Sequence, residues 1–459
     1  MHARVMGSRR LRAAVRTTAT AAAAALLLTL APGHQSSTTE MVLAAETGQR
    51  AAADPGDRPT VRGLPRVDGA YRFVSHPDFL NQDVGDVRSS PFWRRGMPTS
   101  TNASYEASLD HVIGQMLRHD PQSLLVAGDM VEGAWGQDVT GAGVFGPTRT
   151  VDQRRRAVRE AAKVYLKQWH ARFAERGLPV YPAIGDHEIG DDPWRPTGNP
   201  DQDAWLRFKS KHLWLWKGVA SRWLYPDVRA AERTHGGDLR RVGAVSHPPR
   251  GQARHTAYAT RLSPDLLLVS VDVFRPRPGG GVTVLLDEDQ RRWLSTTLRR
   301  AKKQRVPWVV VQGHTPVMGP VRTRFSSALT YGGSDLLGLM RRHDVDVYLT
   351  GEVHDHTVTR RRGLVQVAHG GLFYRGESSY VVGQATPDRL LLETRYLDGR
   401  PRFGGGKLWS TEGGNGPVRV TYDRPSRVVG AYALERRGRP ADGNRVVTKR
   451  GISGIPFRG

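Results

Sequence analysis

The sequence of 459 residues contains no cysteine. That excludes a disulfide scaffold, thiolate zinc sites, iron–sulfur ligation and a cysteine nucleophile together. Any metal must be held by His, Asp, Glu or Asn, and 16 His residues are available. Long apolar runs are equally scarce: Thr17 to Ala31 is one, and no later stretch reaches the roughly 18 residues a membrane span requires. Acidic residues are outnumbered, with 44 Asp plus Glu against 68 Lys plus Arg and a net charge of +24. A basic surface attracts phosphate-bearing ligands by long-range steering, although a high arginine content is also what coding bias produces. The 38% hydrophobic content and 11 Trp supply a real core and argue against general disorder.

The chain begins with Arg4, Arg9, Arg10, Arg12 and Arg16, followed by the Ala-rich apolar run. A basic start and a short apolar core over residues 1–35 read as a signal peptide, with an uncleaved anchor as the alternative. Ser8-Arg9-Arg10 loosely resembles a twin-arginine export signal. The expectation is a secreted or extracytoplasmic protein with no membrane span in the mature chain and a net charge of +19. Residues 36–66, rich in Ala, Thr, Asp, Gly and Pro, read as a flexible leader.

Residues 67–398 alternate short apolar runs with helical patterns, which predicts α/β architecture. Strands are expected at 71–74, 124–127, 180–184, 266–271, 308–311 and 345–349, and helices over 103–118, 154–176, 287–303 and 334–342. An insertion at about 190–255 carries Trp194, Trp205, Trp214, Trp216 and Trp223. They either wall a substrate pocket or anchor a helical patch onto the domain. Residues 399–459 form a Gly-rich extension; from Pro401 onward it carries a charge of +8, and it reads as an added hairpin or a loose tail. There is no internal repeat, no nucleic-acid motif, and nothing that specifies an oligomeric state.

The residues that follow the strands carry the chemistry. Asp78 comes after the first strand, Gly128-Asp129 after the second, and Gly185-Asp186-His187-Glu188 after the third. Gly313-His314 and Gly351-Glu352-Val353-His354-Asp355 follow two later strands. Ligands of α/β sheets bind beyond the carboxyl ends of strands, so five such deliveries to one edge predict a metal cluster. Glycines beside them allow sharp turns and close backbone approach.

This series resembles the calcineurin-like metallophosphoesterases, a superfamily that includes the purple acid phosphatases. The family pattern is Asp-x-His, Gly-Asp, Gly-Asn-His-Glu/Asp, a lone His, and Gly-His-x-His, and the agreement in order and placement covers residues 70–395. Gln290-Arg291-Arg292-Trp293-Leu294 also resembles the Gln-x-x-Trp-Leu helix of purple-acid-phosphatase-like members. The resemblance implies a four-layer αββα sandwich of two mixed sheets with outer helices. It further implies two metal ions, bridged by Asp129, with Asp78 and His354 on the first and Asp186, His314 and Glu352 on the second. A metal-bridging hydroxide would attack phosphorus in a phosphate mono- or diester substrate. His187 would protonate the leaving oxygen or stabilise its charge.

The sequence departs from that pattern at three places. Leu80 replaces the histidine of Asp-x-His, so the first ion lacks a ligand; Glu132 and Asn81 are the two main candidates to supply it, and Asp83 is a third. Asp186 stands where the family has Asn, and Glu352 where it has His. Both changes add charge and oxygen, which shifts the expected ions from Zn toward Mn, Fe, Mg or Ca, in divalent or trivalent form. His76, His356 and His369 lie nearby in sequence but are assigned packing or surface roles. The rival function, favoured by the broken first motif and the positive charge, is a catalytically weak module that binds anionic extracellular polymers.

Overall fold

The apolar runs form strands of two sheets because each is short, rich in Val and Leu, and closed by polar or glycine residues. The computed structural model describes residues 60–79, 85–97, 99–131, 135, 143–190, 196–277, 282–322, 335–371, 377–402, 419–436 and 445–446. The segment 1–35 and the ligand candidates Asn81, Asp83 and Glu132 lie outside the described residues.

In chain order, β1 (Tyr71–Ser75), α1 (Ala103–Leu117), β2 (Ser123–Val126), α2 (Val151–Ala174) and β3 (Val180–Pro182) come first. Helices α3 (Pro200–Leu224) and α4 (Pro226–His235) fill the insertion. Then follow β4 (Val245–Ser246), β5 (Tyr258–Ser263), β6 (Leu266–Ser270), β7 (Phe274–Pro276), β8 (Val282–Val284) and α5 (Glu288–Lys303). The next elements are β9 (Trp308–Gln312), α6 (Asp335–Arg342), β10 (Val347–Thr350), β11 (Thr357–Arg361) and β12 (Leu364–Ala368). The chain continues with β13 (Ser378–Ala385), β14 (Arg389–Leu397), β15 (Arg400–Arg402), β16 (Arg419–Thr421), β17 (Arg427–Arg436) and β18 (Arg445–Val446).

One seven-stranded sheet has the order β18-β17-β14-β13-β1-β2-β3, and the other β11-β12-β10-β9-β6-β5-β4. Both are mixed: β1, β2 and β3 are parallel, as are β6, β9, β10 and β12, while β1–β13 and β5–β6 pair antiparallel. Polar side chains of the second sheet reach backbone carbonyls of the first. Tyr258 Oη donates to Pro182 (3.0 Å), Gln312 Nε2 to Tyr181 (2.8 Å) and Trp308 Nε1 to Thr386 (2.6 Å). Each bond satisfies a group that burial between two apolar sheets would otherwise strand. The chain is thus an α/β sandwich of two mixed sheets with helices.

The helices begin where their caps are. Thr150 and Gln153 form a reciprocal capping box, so α2 starts at Val151, three residues before the sequence-based expectation. The strand expected from Val345 starts at Val347, because the Asp346 carboxylate is used to accept the Val309 amide at 2.8 Å. The insertion, whose loops have no readable conformation in the sequence, is largely helical. Asn199 caps α3 by accepting the amides of Asp201 and Gln202, and Pro200 occupies its first turn. The C-terminal strand β17 lies along β14 and so extends the first sheet. Among the described residues no helix is long and apolar enough to cross a membrane.

Candidate metal centre

Parallel β1, β2 and β3 end on one edge of their sheet, and β9 and β10 end on one edge of theirs. The Nδ1–H of His314, just after β9, donates to the Ala127 carbonyl just after β2, at 2.9 Å, and so ties the two edges together. The carboxylates follow the strand ends directly. Asp78, Asp129, Asp186 and Glu352 are all buried, as is His314. Asp78, Asp129, Glu352 and His354 have φ of 60°, 56°, 72° and 53°, a left-handed conformation that side chains other than Gly, Asn and Asp seldom adopt. Such strain gathers where a structure holds groups for function. At Gly185 a Cβ would collide with the Asp129 carboxylate, so only glycine lets these two strand ends come together.

His314 is the hub. With Nδ1 committed as donor, Nε2 faces Asp129 Oδ2 at 3.1 Å, Asp186 Oδ1 at 3.0 Å and Glu352 Oε2 at 3.1 Å. Asp78 Oδ1 lies 4.0 Å from Nδ1 and accepts the Glu352 amide at 3.1 Å. Despite those short distances, His314 Nε2, Asp186 Oδ1 and Asp78 Oδ2 are buried atoms with no aligned hydrogen bond. Three groups of metal-ligand type result: Asp78 with Asp129 and His314, Asp129 with Asp186 and His187, and Asp186 with His314 and Glu352.

The electrostatics agree with that reading. Burial raises the pKa of Asp78, Asp129 and Glu352, and neighbouring carboxylates raise each further. Burial acts on Asp186 too, but its polar contact with His314 and the charge of His187 hold it below the usual range. His314 is raised well above its ordinary value, because Asp129, Asp186 and Glu352 outweigh its burial. So many carboxylates taken out of water need positive charge among them. An imidazole whose other N–H is anchored on a carbonyl is oriented as metal-ligating histidines are. The donor set therefore fits hard divalent or trivalent cations.

The sequence matches the model of the calcineurin-like phosphoesterase family over residues 102–356, more than half of the chain. The chain belongs to that family. Its members are hydrolases of phosphate esters. Asp78 precedes the matched segment, so the ligand position after β1 rests on the geometry alone. The chain is 25% identical over 248 residues to purple acid phosphatase 21 of Arabidopsis thaliana, covering 51% of this chain and 44% of that protein. It therefore spans less than half the length of that relative. Among solved structures, it is similar to a dimetal phosphatase from Danio rerio, with 13% identity, TM-score 0.40 and coverage of 71% and 95% of the two chains. A purple acid phosphatase from yellow lupin (Lupinus luteus) gives 15% identity, TM-score 0.38 and coverage of 78% and 55%.

The structure brings Asp78, Asp129, Asp186, His187, His314 and Glu352 together in these groups. His354, expected on the first ion, is in none of the three groups and is partly exposed. His76 stacks on Phe79 at 4.1 Å, His369 bonds Ser75 Oγ at 2.8 Å, and His356 is buried beside Asp355, as packing residues. Glu188, next to His187, is fully buried. Its carboxylate accepts the amides of Gly185 (2.6 Å), Asp129 (2.9 Å) and Met130 (2.7 Å), which locks two ligand loops to each other. Trp135 likewise fixes the backbone of His187 by donating to its carbonyl at 2.8 Å.

Asp272, after β6, is a further buried carboxylate. It pairs with the buried Lys217 of α3 at 2.8 Å, and its backbone is held on both sides by Gln290 at 2.8 and 2.6 Å. The Gln-x-x-Trp-Leu helix thus docks on a strand end and serves structure. Of the insertion tryptophans, Trp216 is buried and packs its ring on Phe208 at 5.6 Å, which fits an anchoring patch. Trp214 is 56% exposed, and Trp194 lies outside the described residues.

Proposed function

We propose that the protein is an exported, metal-dependent phosphoesterase that hydrolyses phosphate mono- or diesters at a two-metal centre. The convergence of Asp129, Asp186 and Glu352 on His314 Nε2 at 3.0–3.1 Å carries this reading. Asp129, Asp186 and His314 each belong to two of the ligand groups; the family resemblance would make Asp129 the bridge, with Asp78 on one side and Asp186, His314 and Glu352 on the other. When bound, such ions lower the pKa of water and polarise phosphoryl oxygens. His187 Nε2, 3.7 Å from Asp129 and 3.9 Å from Asp186, stands over the carboxylates and delivers a proton to the departing oxygen. Glu188 keeps the loops in register for this without touching substrate. Export rests on the arginines and apolar run of residues 1–35.

The test is hydrolysis of a chromogenic phosphate monoester and diester by the purified protein, repeated with Asp129→Ala and His187→Ala. Cleavage that disappears in both variants supports the reading; a protein that binds no metal and cleaves neither ester ends it. A second reading, a weak phosphoesterase-like module binding anionic polymers, draws on the +24 charge and on Leu80 in place of a ligand histidine. It requires a salt-sensitive affinity for polyphosphate that survives His187→Ala.

A further inference from the structure

A cavity of about 600 Å³ lies between α3, α4 and residues 247–257. Arg222, Arg229 and Arg254 line it with His247 and His255. Its one acidic residue, Glu232, faces the His247 ring at 3.5 Å. The arginines have no carboxylate partner among the described residues: Arg222 lies over Trp223 at 5.1 Å, and Arg254 Nε donates to His255 at 2.6 Å. Burial and the charges of Arg254, His247 and Arg229 lower the pKa of His255. Unneutralised guanidinium groups around a concavity are matched to phosphate-type anions, which they bind bidentately.

The cavity wall emerges on the same sheet edge as the strand that delivers His314. Tyr258 pairs with Ser270, so residues 247–257 emerge on the edge where β6 and β9 end. That places them two strands from the strand that delivers His314, at about 4.8 Å per strand. The cavity wall is also joined to the site by contacts. Tyr225 Oη donates to the Thr256 carbonyl at 3.4 Å, the Thr256 hydroxyl bonds Asp272, and the Phe274 ring lies 6.2 Å from that of His314. Tyr225 is raised well above its usual pKa by burial and then by Tyr258, Asp272 and Glu188, so it lies within electrostatic reach of the carboxylate that clamps the ligand loops.

We propose that this cavity is a phosphate-type anion subsite that takes the second phosphoryl group of a substrate carrying more than one. The anion site stands on its own, whereas its assignment to substrate rests on the phosphoesterase reading. The test uses the full chain and its Arg222→Gln/Arg229→Gln/Arg254→Gln variant, matched for melting temperature. Calorimetric titration with inorganic phosphate should show the variant losing one binding event. The KM for 1,6-hexanediol bisphosphate relative to that for nitrophenyl phosphate should rise about tenfold in the variant. Unchanged phosphate binding together with an unchanged KM ratio overturns the subsite. Loss of phosphate binding with an unchanged ratio overturns the substrate assignment and leaves a site for free phosphate. If the variant loses the binding event while neither protein cleaves either ester, the anion site stands and the phosphoesterase reading falls.

Discussion

The Glu188 carboxylate accepts the backbone amide of Asp129 at 2.9 Å, and through it the loop after β3 sets the loop after β2. Both loops carry ligands, so the relative placement of Asp129 and Asp186 depends on a side chain that faces neither metal position. Glu188→Ala should leave several buried amides unpaired and destabilise the protein on the order of 3 kcal/mol. A melting curve that does not move would show that the clamp contributes nothing.

Four carboxylates and one imidazole make an oxygen-rich set for the candidate site. Elemental analysis of the purified protein should find Mn, Fe, Mg or Ca in preference to Zn. Asp186→Asn and Glu352→His each remove a carboxylate, and together they should shift the bound metal toward zinc. Stoichiometric zinc alone in the unmutated protein would contradict the argument.

His187 sits at the rim with its ring toward Asp129 and Asp186. As a proton donor to the leaving oxygen it should be worth roughly a hundredfold or more in kcat. His187→Ala should therefore lower kcat with metal content intact, and the loss should shrink for esters whose leaving group needs no protonation. Equal losses across leaving groups would assign His187 to structure instead.

Burial, with a smaller contribution from the charge of His356, lowers the pKa of His369 from 6.5 to about 4. A histidine depressed in the folded state contributes stability that is fully present above its unfolded pKa. That stability is lost as pH falls through the window from 6.5 to about 4, on the order of 3 kcal/mol at its acid end. His76, lowered to about 3 by burial and then by His369, acts in the same direction. The melting temperature should fall steadily as the pH drops from 6.5, and His369→Gln should flatten that slope. An unaltered slope in the variant would place acid sensitivity elsewhere.

The strands and the ligand series were legible because each ligand follows an apolar run within a few residues; that Asp78, Asp129 and Asp186 end one sheet while His314 and Glu352 end the other was not, because sheet membership depends on long-range pairing. Glu188 stands in the Gly-Asn-His-Glu/Asp pattern, but its role was not legible, since the amides of Asp129 and Met130 that it accepts belong to a different loop. Helix α3 did leave a signal, the Asn199-Pro200 start, hidden among the turn-forming residues around it. Asp272 looked like an ordinary strand terminus, and its partner Lys217 lies 55 positions earlier in the chain. The place of β17 depended on pairing with β14, which short-range composition does not encode.

Strand β1 has consequences for the order in which the protein can assemble. Tyr71 pairs with Ala385, and β13 pairs in turn with β14, which pairs with β17. The strand that presents Asp78 therefore gains its second neighbour only once the chain as far as Ala385 has been made. Until then the carboxylates of β1 and β2 have only the β1–β3 side of their sheet behind them, and pairing over so long a separation is slow. A chain arrested before Ser378 would hold every candidate ligand and the second sheet, but would lack β13, β14 and β17 beside β1.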